Sequence, residues 1–468
     1  MQNYKIFINL KVHVVKKSIF ATLIQIMKDI FRKILIIITI AVLTIISVQT
    51  VTGFIKMKPL KGAVYEVEMP PFDYYKVANG SFQKGFENYC RAHFGFREFL
   101  LRLYNQYLWD FYRKTHNKTV VIGKKDWLFG TREVRDYYVS GTYDYTNDTM
   151  EMKRQFQLEA MRMYKVQNIL KEYNTFIFTT LLPGKTFICH EYLPEYRGEK
   201  KKPFHAVDYY AYIFDSLNIN YIDLQKEYAR LKGNVDYPLF PKTGIHWTYI
   251  ACEHSFDTIL RYVEGKTDIN LHNYTIGEIY EAAPRHPDTD QEDVLNLLRP
   301  IRPNKHYYAD VTIDNDSTAT RPSFIIVGDS YFWNINGAIP LSKIFSKYSY
   351  WYYNSTIHFN PNCNHSSKID ILDEIINADI IDLSYSPRQL YVFSNKFLPK
   401  ALLYLTHEDS EIDSTLNVIA ATSKKNTNEE RLNEAKDILF ANPEKYFPDL
   451  ATYAIPTTRN SRIKQIQK

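Results

Sequence analysis

The most sustained hydrophobic pattern in the chain is residues 34–55, ILIIITIAVLTIISVQTVTGFI, 22 residues without a charge. At about 1.5 Å per residue, a helix of this length crosses a hydrocarbon core of roughly 30 Å. It is apolar nearly all round, where the core helix of a soluble domain shows a polar face. The pattern predicts a transmembrane helix over 34–55. Residues 18–33, just ahead of it, mix apolar positions with Lys and Gln at helical spacing, which predicts an amphipathic helix lying on the inner leaflet.

Beyond the apolar run, Pro59, Pro70 and Pro71 mark an extended connector. Helical spacing begins at Phe82 and continues from Phe96 to Tyr112. Residues 118–123 (KTVVIG) predict a short strand, and 123–129 (GKKDWLF) a turn that carries Trp127 into apolar packing. Helical periodicity without Pro or Gly fills 152–173 and recurs at 248–263 and 369–377. Short apolar runs predict strands at 176–182 (FIFTTLL), 221–224 (YIDL), 324–327 (FIIV) and 379–383 (DIIDL).

Strands alternating with helices predict an α/β fold, a mainly parallel sheet with helices on both faces behind the N-terminal anchor. Chemistry in such sheets collects at the carboxyl ends of strands, where Lys185, Ser330 and Arg388 fall. The expected organisation is a basic cytoplasmic segment at 1–33, the span at 34–55, and a connector with a helical lead-in at 56–117. An α/β domain follows at 118–400, then a helical tail at 401–468 ending in a frayed basic strip. Residues 264–322, Pro-dotted and weakly periodic, are expected to be an insertion or lid.

Charge changes the picture mainly by its position. The formal net charge is +6, and residues 1–33 alone hold seven Lys and Arg against Asp29. The excess therefore precedes the span, and the remainder is neutral on balance. This distribution argues against a nucleic-acid partner. It also puts the N-terminus in the cytoplasm and the main domain outside, which is periplasmic in a Gram-negative cell. The run leaves the membrane without a small-x-small cleavage site, so an uncleaved signal anchor is expected. Cys90, Cys189, Cys252 and Cys363 form no CxxC pair and no zinc spacing, and no metal or organic cofactor is expected. The 38 tyrosines suit a sugar- or polymer-binding surface, since a phenol ring offers an apolar face and a polar tip; a compositional habit accounts for them equally well.

Two local motifs carry candidate chemistry. FIIV runs into Gly328-Asp329-Ser330-Tyr331, where Gly permits a sharp turn and the serine projects from a strand-to-helix bend beside amides able to hold an oxyanion. Lys242-Thr243-Gly244-Ile245-His246-Trp247-Thr248 places a histidine just ahead of a helix, where its ring can be aimed as the base a serine nucleophile needs.

With these residues the chain resembles the SGNH-hydrolase-like acetyltransferases of bacterial polysaccharide O-acetylation, typified by the alginate acetyltransfer proteins. The likeness rests on Phe94-Gly95-Phe96-Arg97, Tyr104-Asn105, Val121-Ile122-Gly123-Lys124 with Trp127-Leu128-Phe129, Pro183-Gly184-Lys185, His246-Trp247 and Gly328-Asp329-Ser330, in that order. It implies an SGNH-like fold with Ser330 as nucleophile and His246 as base. Tyr331, Trp247, Lys185 and Arg388 are candidate substrate or oxyanion contacts. The family normally carries Asp two residues before the histidine, where this chain has Gly244. Asp236 on the same loop and Asp329 beside the nucleophile are the candidate substitutes, with Asp223 a third. A displaced carboxylate is expected, Asp236 ahead of Asp329; if no acid has taken over, restoring Asp at 244 is expected to raise activity, provided the loop tolerates losing a glycine that can hold a positive φ.

The resemblance further implies acetyl transfer to hydroxyls of an exported polysaccharide through a serine-linked intermediate, with a multi-pass membrane O-acyltransferase as acetyl donor. A carbohydrate esterase using the same residues remains an alternative. So does a non-catalytic glycan-binding or assembly protein on the same fold, which Gly244 favours.

Overall fold

The computed structural model describes residues 2–62, 66–138, 149–195, 205–361 and 363–452, with 454–455, 458 and 462–463, and side chains from residue 24 onward. The basic strip at the end of the tail lies mostly outside the described residues. The chain divides into two compact units: Met1–Arg113 with Asp293–Arg299, and Lys114–Glu292 with Pro300–Lys468.

In the first unit a single helix, Gln2–Thr52, replaces the expected pair of a surface helix and a span. No Pro or Gly interrupts the chain before Gly53, so nothing breaks the hydrogen-bond ladder between the two patterns. Gly53 then takes a left-handed φ of 55° and ends the helix. Ile24–Thr52 is long and apolar enough to cross a membrane, with mean hydropathy 2.6. Helices Ser81–His93 and Arg97–Tyr112 follow the connector. Gly95 between them sits on the last turns of the long helix. Its amide donates to Thr50 Oγ1 at 2.7 Å, and a β-carbon there would stand 2.5 Å from the Ile46 carbonyl oxygen.

Among the described residues, all the strands lie in the second unit. They are β1 (Val120–Ile122), β2 (Leu128–Gly130), β3 (Phe176–Leu181), β4 (Tyr221–Asp223), β5 (Tyr274–Ile276) and β6 (Tyr280–Ala282). β7 (His306–Tyr308), β8 (Val311–Ile313), β9 (Ser323–Gly328), β10 (Lys347–Tyr352), β11 (Thr356–His358) and β12 (Ile380–Tyr385) complete the set. The central sheet has six strands in the order β11-β10-β9-β12-β3-β4, parallel throughout except for the antiparallel edge β11. β1 with β2, β5 with β8, and β6 with β7 form three antiparallel pairs.

The sheet is buried on both faces. Along β9, Phe324 and Ile326 join the core shared with helices Tyr249–Lys266 and Phe332–Ala338. Ile325 and Val327 join the opposite core, with helices Thr149–Lys171, Ala206–Leu217 and Phe397–Thr406. This two-residue alternation between two apolar layers is why β9 reads as a continuous hydrophobic run. β9 lies between β10 and β12, so the chain leaving Gly328 emerges at the carboxyl edge in the interior of the sheet.

The predicted strands at 176–182, 221–224, 324–327 and 379–383 all form, as do the helices at 152–173, 248–263 and 369–377. β10 was not anticipated. Its sequence KYSYWY alternates aromatic residues with Lys and Ser and lacks an aliphatic run, although Ser349, Tyr350 and Trp351 are buried.

Candidate active site

Ser330 lies two residues beyond Gly328, the end of β9, and precedes helix Phe332–Ala338. Gly328 is required by close approach, because a β-carbon there would meet the Ser384 carbonyl oxygen at 2.4 Å. Asp329 is buried and braces the turn. Its Oδ1 accepts from the Tyr331 amide at 3.2 Å and its Oδ2 from the Ser386 amide at 2.8 Å. Burial pushes the Asp329 carboxyl up, and the donors from Ser386 and Tyr331 oppose that shift.

His246 comes from the loop ahead of helix Tyr249–Lys266, whose N-terminus is capped by the Thr248 hydroxyl accepting from the Ala251 amide at 3.3 Å. Its Nε2 lies 2.8 Å from Ser330 Oγ. The loop and the nucleophile turn are cross-braced by three hydrogen bonds. Trp247 Nε1 donates to the Tyr331 carbonyl at 3.2 Å, Asn334 Nδ2 donates to the Trp247 carbonyl at 3.2 Å, and the Tyr331 hydroxyl donates to the Ile245 carbonyl at 3.3 Å. Ser330 and His246 are thus fixed relative to each other by groups that take no part in the contact itself.

The third member is Asp290. Its Oδ2 lies 2.9 Å from His246 Nδ1, and its Oδ1 accepts from the Ile245 amide at 2.9 Å. Burial opposes protonation of His246, but the Asp290 carboxylate beside Nδ1, followed by Asp329 and Glu133, outweighs it and raises the imidazole above its ordinary 6.5. Asp290 belongs to the stretch expected to be an insertion or lid, and that stretch is pinned. The Tyr249 hydroxyl donates to the His286 carbonyl at 2.6 Å, the Tyr308 hydroxyl donates to the Asp288 carboxylate, and the Glu292 amide donates to the Thr243 carbonyl at 3.1 Å.

Several expected roles are corrected by these positions. Asp236 is exposed on its loop, and Asp329 spends both oxygens on backbone amides, so neither holds the His246 ring. Asp223 caps the helix Leu224–Leu231 through the Lys226 amide. Trp247 is fully buried and acts as a brace, not a substrate contact. The Tyr331 amide is committed to Asp329, which removes it as an oxyanion donor. Lys185 is buried with Nζ donating to the carbonyls of Leu128 (2.7 Å), Lys242 (3.1 Å) and Gly244 (2.6 Å), and it sits over the Trp127 and Phe129 rings. Burial pulls its pKa down to about 7. It ties β2 to the His246 loop and leaves no donor for an incoming acyl group.

Arg388 does line the pocket, 3.5 Å from Glu133. Tyr353, missed in the sequence, also lines it. The pocket around these groups is about 270 Å³. No cluster of three or more His, Cys, Asp or Glu side chains able to hold a metal occurs among the described residues.

A parallel α/β sheet that presents Ser330, His246 and Asp290 at the carboxyl edge of a central strand defines an SGNH-hydrolase-like domain. Residues 120–336 match the family model of the SGNH hydrolase-like domain of the acetyltransferase AlgX, and the chain carries a domain of this kind over that stretch. No curated protein matches the chain. Among solved structures, the O-acetyltransferase domain of Pseudomonas putida AlgJ aligns at 16% identity and TM-score 0.40, over 58% of this chain and 92% of that one. Bacillus cereus PatB1 aligns at 14% and 0.38, over 60% and 100%. Pseudomonas aeruginosa AlgX aligns at 14% and 0.32, over 57% and 55%. At these values the structural likenesses carry no functional weight of their own.

Proposed function

We propose that the protein is a membrane-anchored, extracytoplasmic O-acyltransferase that moves acetyl groups onto hydroxyls of an exported polysaccharide. The observation that carries it is the Ser330–His246–Asp290 relay, with contacts of 2.8 and 2.9 Å, inside a domain matching the acetyltransferase family.

In the first half-reaction His246 Nε2 takes the Ser330 hydroxyl proton as Oγ attacks the acetyl carbonyl. The carbonyl–leaving-group bond breaks, His246 returns the proton to the leaving group, and an acetyl ester remains on Ser330. Asp290 keeps Nδ1 protonated and stabilises the imidazolium formed in passing. The Ser330 amide and the Tyr353 hydroxyl are the donors the site offers to the developing oxyanion. In the second half-reaction a sugar hydroxyl loses its proton to His246 and attacks the ester carbonyl; the acyl bond to Ser330 Oγ breaks, and His246 returns the proton to that oxygen. A multi-pass membrane O-acyltransferase would supply the acetyl group from the cytoplasmic side. Gly244 no longer favours a non-catalytic role, because Asp290 stands where the displaced acid is needed.

Intact-mass measurement after incubation with an activated acetyl ester tests the first half-reaction. One acetyl adduct is expected on the parent and none on Ser330→Ala; an unmodified parent across a wide pH range overturns the proposal. Unacetylated oligosaccharides then discharge the adduct by becoming acetylated. Release only as free acetate, with acetylated oligosaccharides losing their esters, would identify an esterase instead.

A further inference from the structure

A second cavity adjoins the catalytic pocket. It measures about 980 Å³, near the top of the range for small-molecule sites and far larger than the pocket at Ser330. Tyr353 lines both spaces, and the Tyr391 hydroxyl in the cavity donates to Asp136 in the catalytic pocket at 2.6 Å. The outer wall comes from residues 365–371 and the helices Phe397–Thr406 and Asn428–Ala441, all beyond residue 336 where the family match ends.

Two buried polar atoms lining this cavity, the Tyr210 hydroxyl and Asn354 Oδ1, have no hydrogen-bond partner among the described residues. Orphaned polar atoms are costly and rare, so a lined cavity that holds two of them points to a ligand carrying donors and acceptors. Sugar hydroxyls are both. Tyr353, Tyr391 and Phe440 add ring faces suited to the apolar face of a pyranose.

The charge is also uneven. Lys396 pairs with Asp437 at 2.9 Å, and Arg462 pairs with Asp370. Lys400 Nζ is held by the Ser366 carbonyl at 2.9 Å. Lys368 and Lys436, like the buried Lys400, have no carboxylate partner among the described residues, and Lys368 and Lys436 are the two of these not held by a backbone carbonyl.

We propose that this cavity is the acceptor subsite, binding a segment of an anionic glycan whose reactive hydroxyl reaches Ser330 past Tyr353. The inference rests on the proposed acyl transfer for the identity of the reacting group, while the binding itself can be measured separately. Carboxylate-bearing and phosphate-bearing glycans share the chemistry the lysines recognise.

The test is calorimetric titration of the full chain in detergent with an oligo-uronate, a phosphate-bearing glycan and a neutral oligoglucan of equal length. At least one anionic oligomer is expected to bind, more weakly as salt rises, and more tightly than the neutral one. The Lys368→Ala/Lys436→Ala pair is expected to weaken that binding about tenfold. Lys424→Ala/Lys425→Ala, with the same charge change outside the cavity, is expected to leave it unchanged. Should the cavity pair fail to fold, protection of Lys436 in the parent from amine-reactive labelling by the bound oligomer reads the same contact.

Equal binding of the neutral oligomer, parent affinity in the cavity pair, or an unprotected Lys436 each overturns the proposal. Absence of binding in a chain that still forms acetyl-Ser330 overturns the subsite and leaves acyl transfer standing. Binding without any acyl adduct refutes the transfer and leaves an anionic-glycan site.

Discussion

The backbone of Asp288 crosses Gly244 so closely that a β-carbon on Gly244 would stand 2.4 Å from the Asp288 carbonyl oxygen. The crossing delivers Asp290, two residues on, to the Nδ1 of His246. Gly244 has no positive φ, so the constraint is close approach and not backbone strain. Substituting Asp at 244 therefore cannot restore a family pattern; it pushes the 285–292 segment away. Gly244→Ala is expected to cost about 1–3 kcal/mol of stability by overpacking. It is also expected to lower the rate of Ser330 acetylation, whereas a gain of activity in Gly244→Asp would contradict this geometry. Thermal unfolding alongside adduct formation measures both.

Asp290→Asn preserves the shape of the carboxylate and removes its charge. Acyl transfer is expected to fall by about three to four orders of magnitude, with folding intact. The pH profile supplies a second readout. His246 acts as a base only when neutral, so in the parent the rate rises with pH through a midpoint above the ordinary histidine value of 6.5. Without Asp290 the burial of the ring dominates, and the midpoint moves to lower pH. Asp236→Asn, on the exposed loop, is expected to match the parent in both measurements.

Lys185→Met fills the volume of the lysine but removes the donor from the carbonyl oxygens of Leu128 and Gly244, and from that of Lys242, which keeps the Leu128 amide. A loss of roughly 1–3 kcal/mol in denaturant unfolding is expected, because buried acceptors are left unsatisfied. Activity is expected to drop further than stability, since two of those carbonyls lie in the loop that aims His246. A variant with parent stability and parent kcat would show that Lys185 does not position the loop.

The anchor makes a prediction about topology. Basic residues gather ahead of the charge-free run at 34–55, so a reporter fused after Lys400 is expected to be active only if it works outside the cytoplasm. An active cytoplasmic reporter at that position would place the catalytic domain beyond reach of an exported glycan.

Much of the sheet was legible because its strands are buried on both faces: FIFTTLL, FIIV and DIIDL are hydrophobic whatever they pack against. The Ser330–His246 pair was legible for a different reason, since each residue depends on a short local arrangement, a strand running into Gly-Asp-Ser and a histidine ahead of a helix. β10 stayed hidden because Tyr and Trp interleaved with Ser and Lys fit a surface as readily as a core. The position of Asp290 within the 264–322 segment was not legible, because residues 286–292 are held by partners far along the chain, Thr243 and Tyr249 among them, and not by any periodicity of their own.

The sequence by itself determined the apolar span, the α/β class, and the positions of Ser330 and His246, all properties of contiguous residues and their periodicity. Only the tertiary structure decided which carboxylate completes the site. Asp290 is 44 positions from His246 along the chain, in a segment with no local signal. It becomes a partner because the backbone crosses over Gly244, where the absence of a side chain leaves room. A long-range contact of that kind is a matter of packed volume, which no reading of neighbouring residues contains.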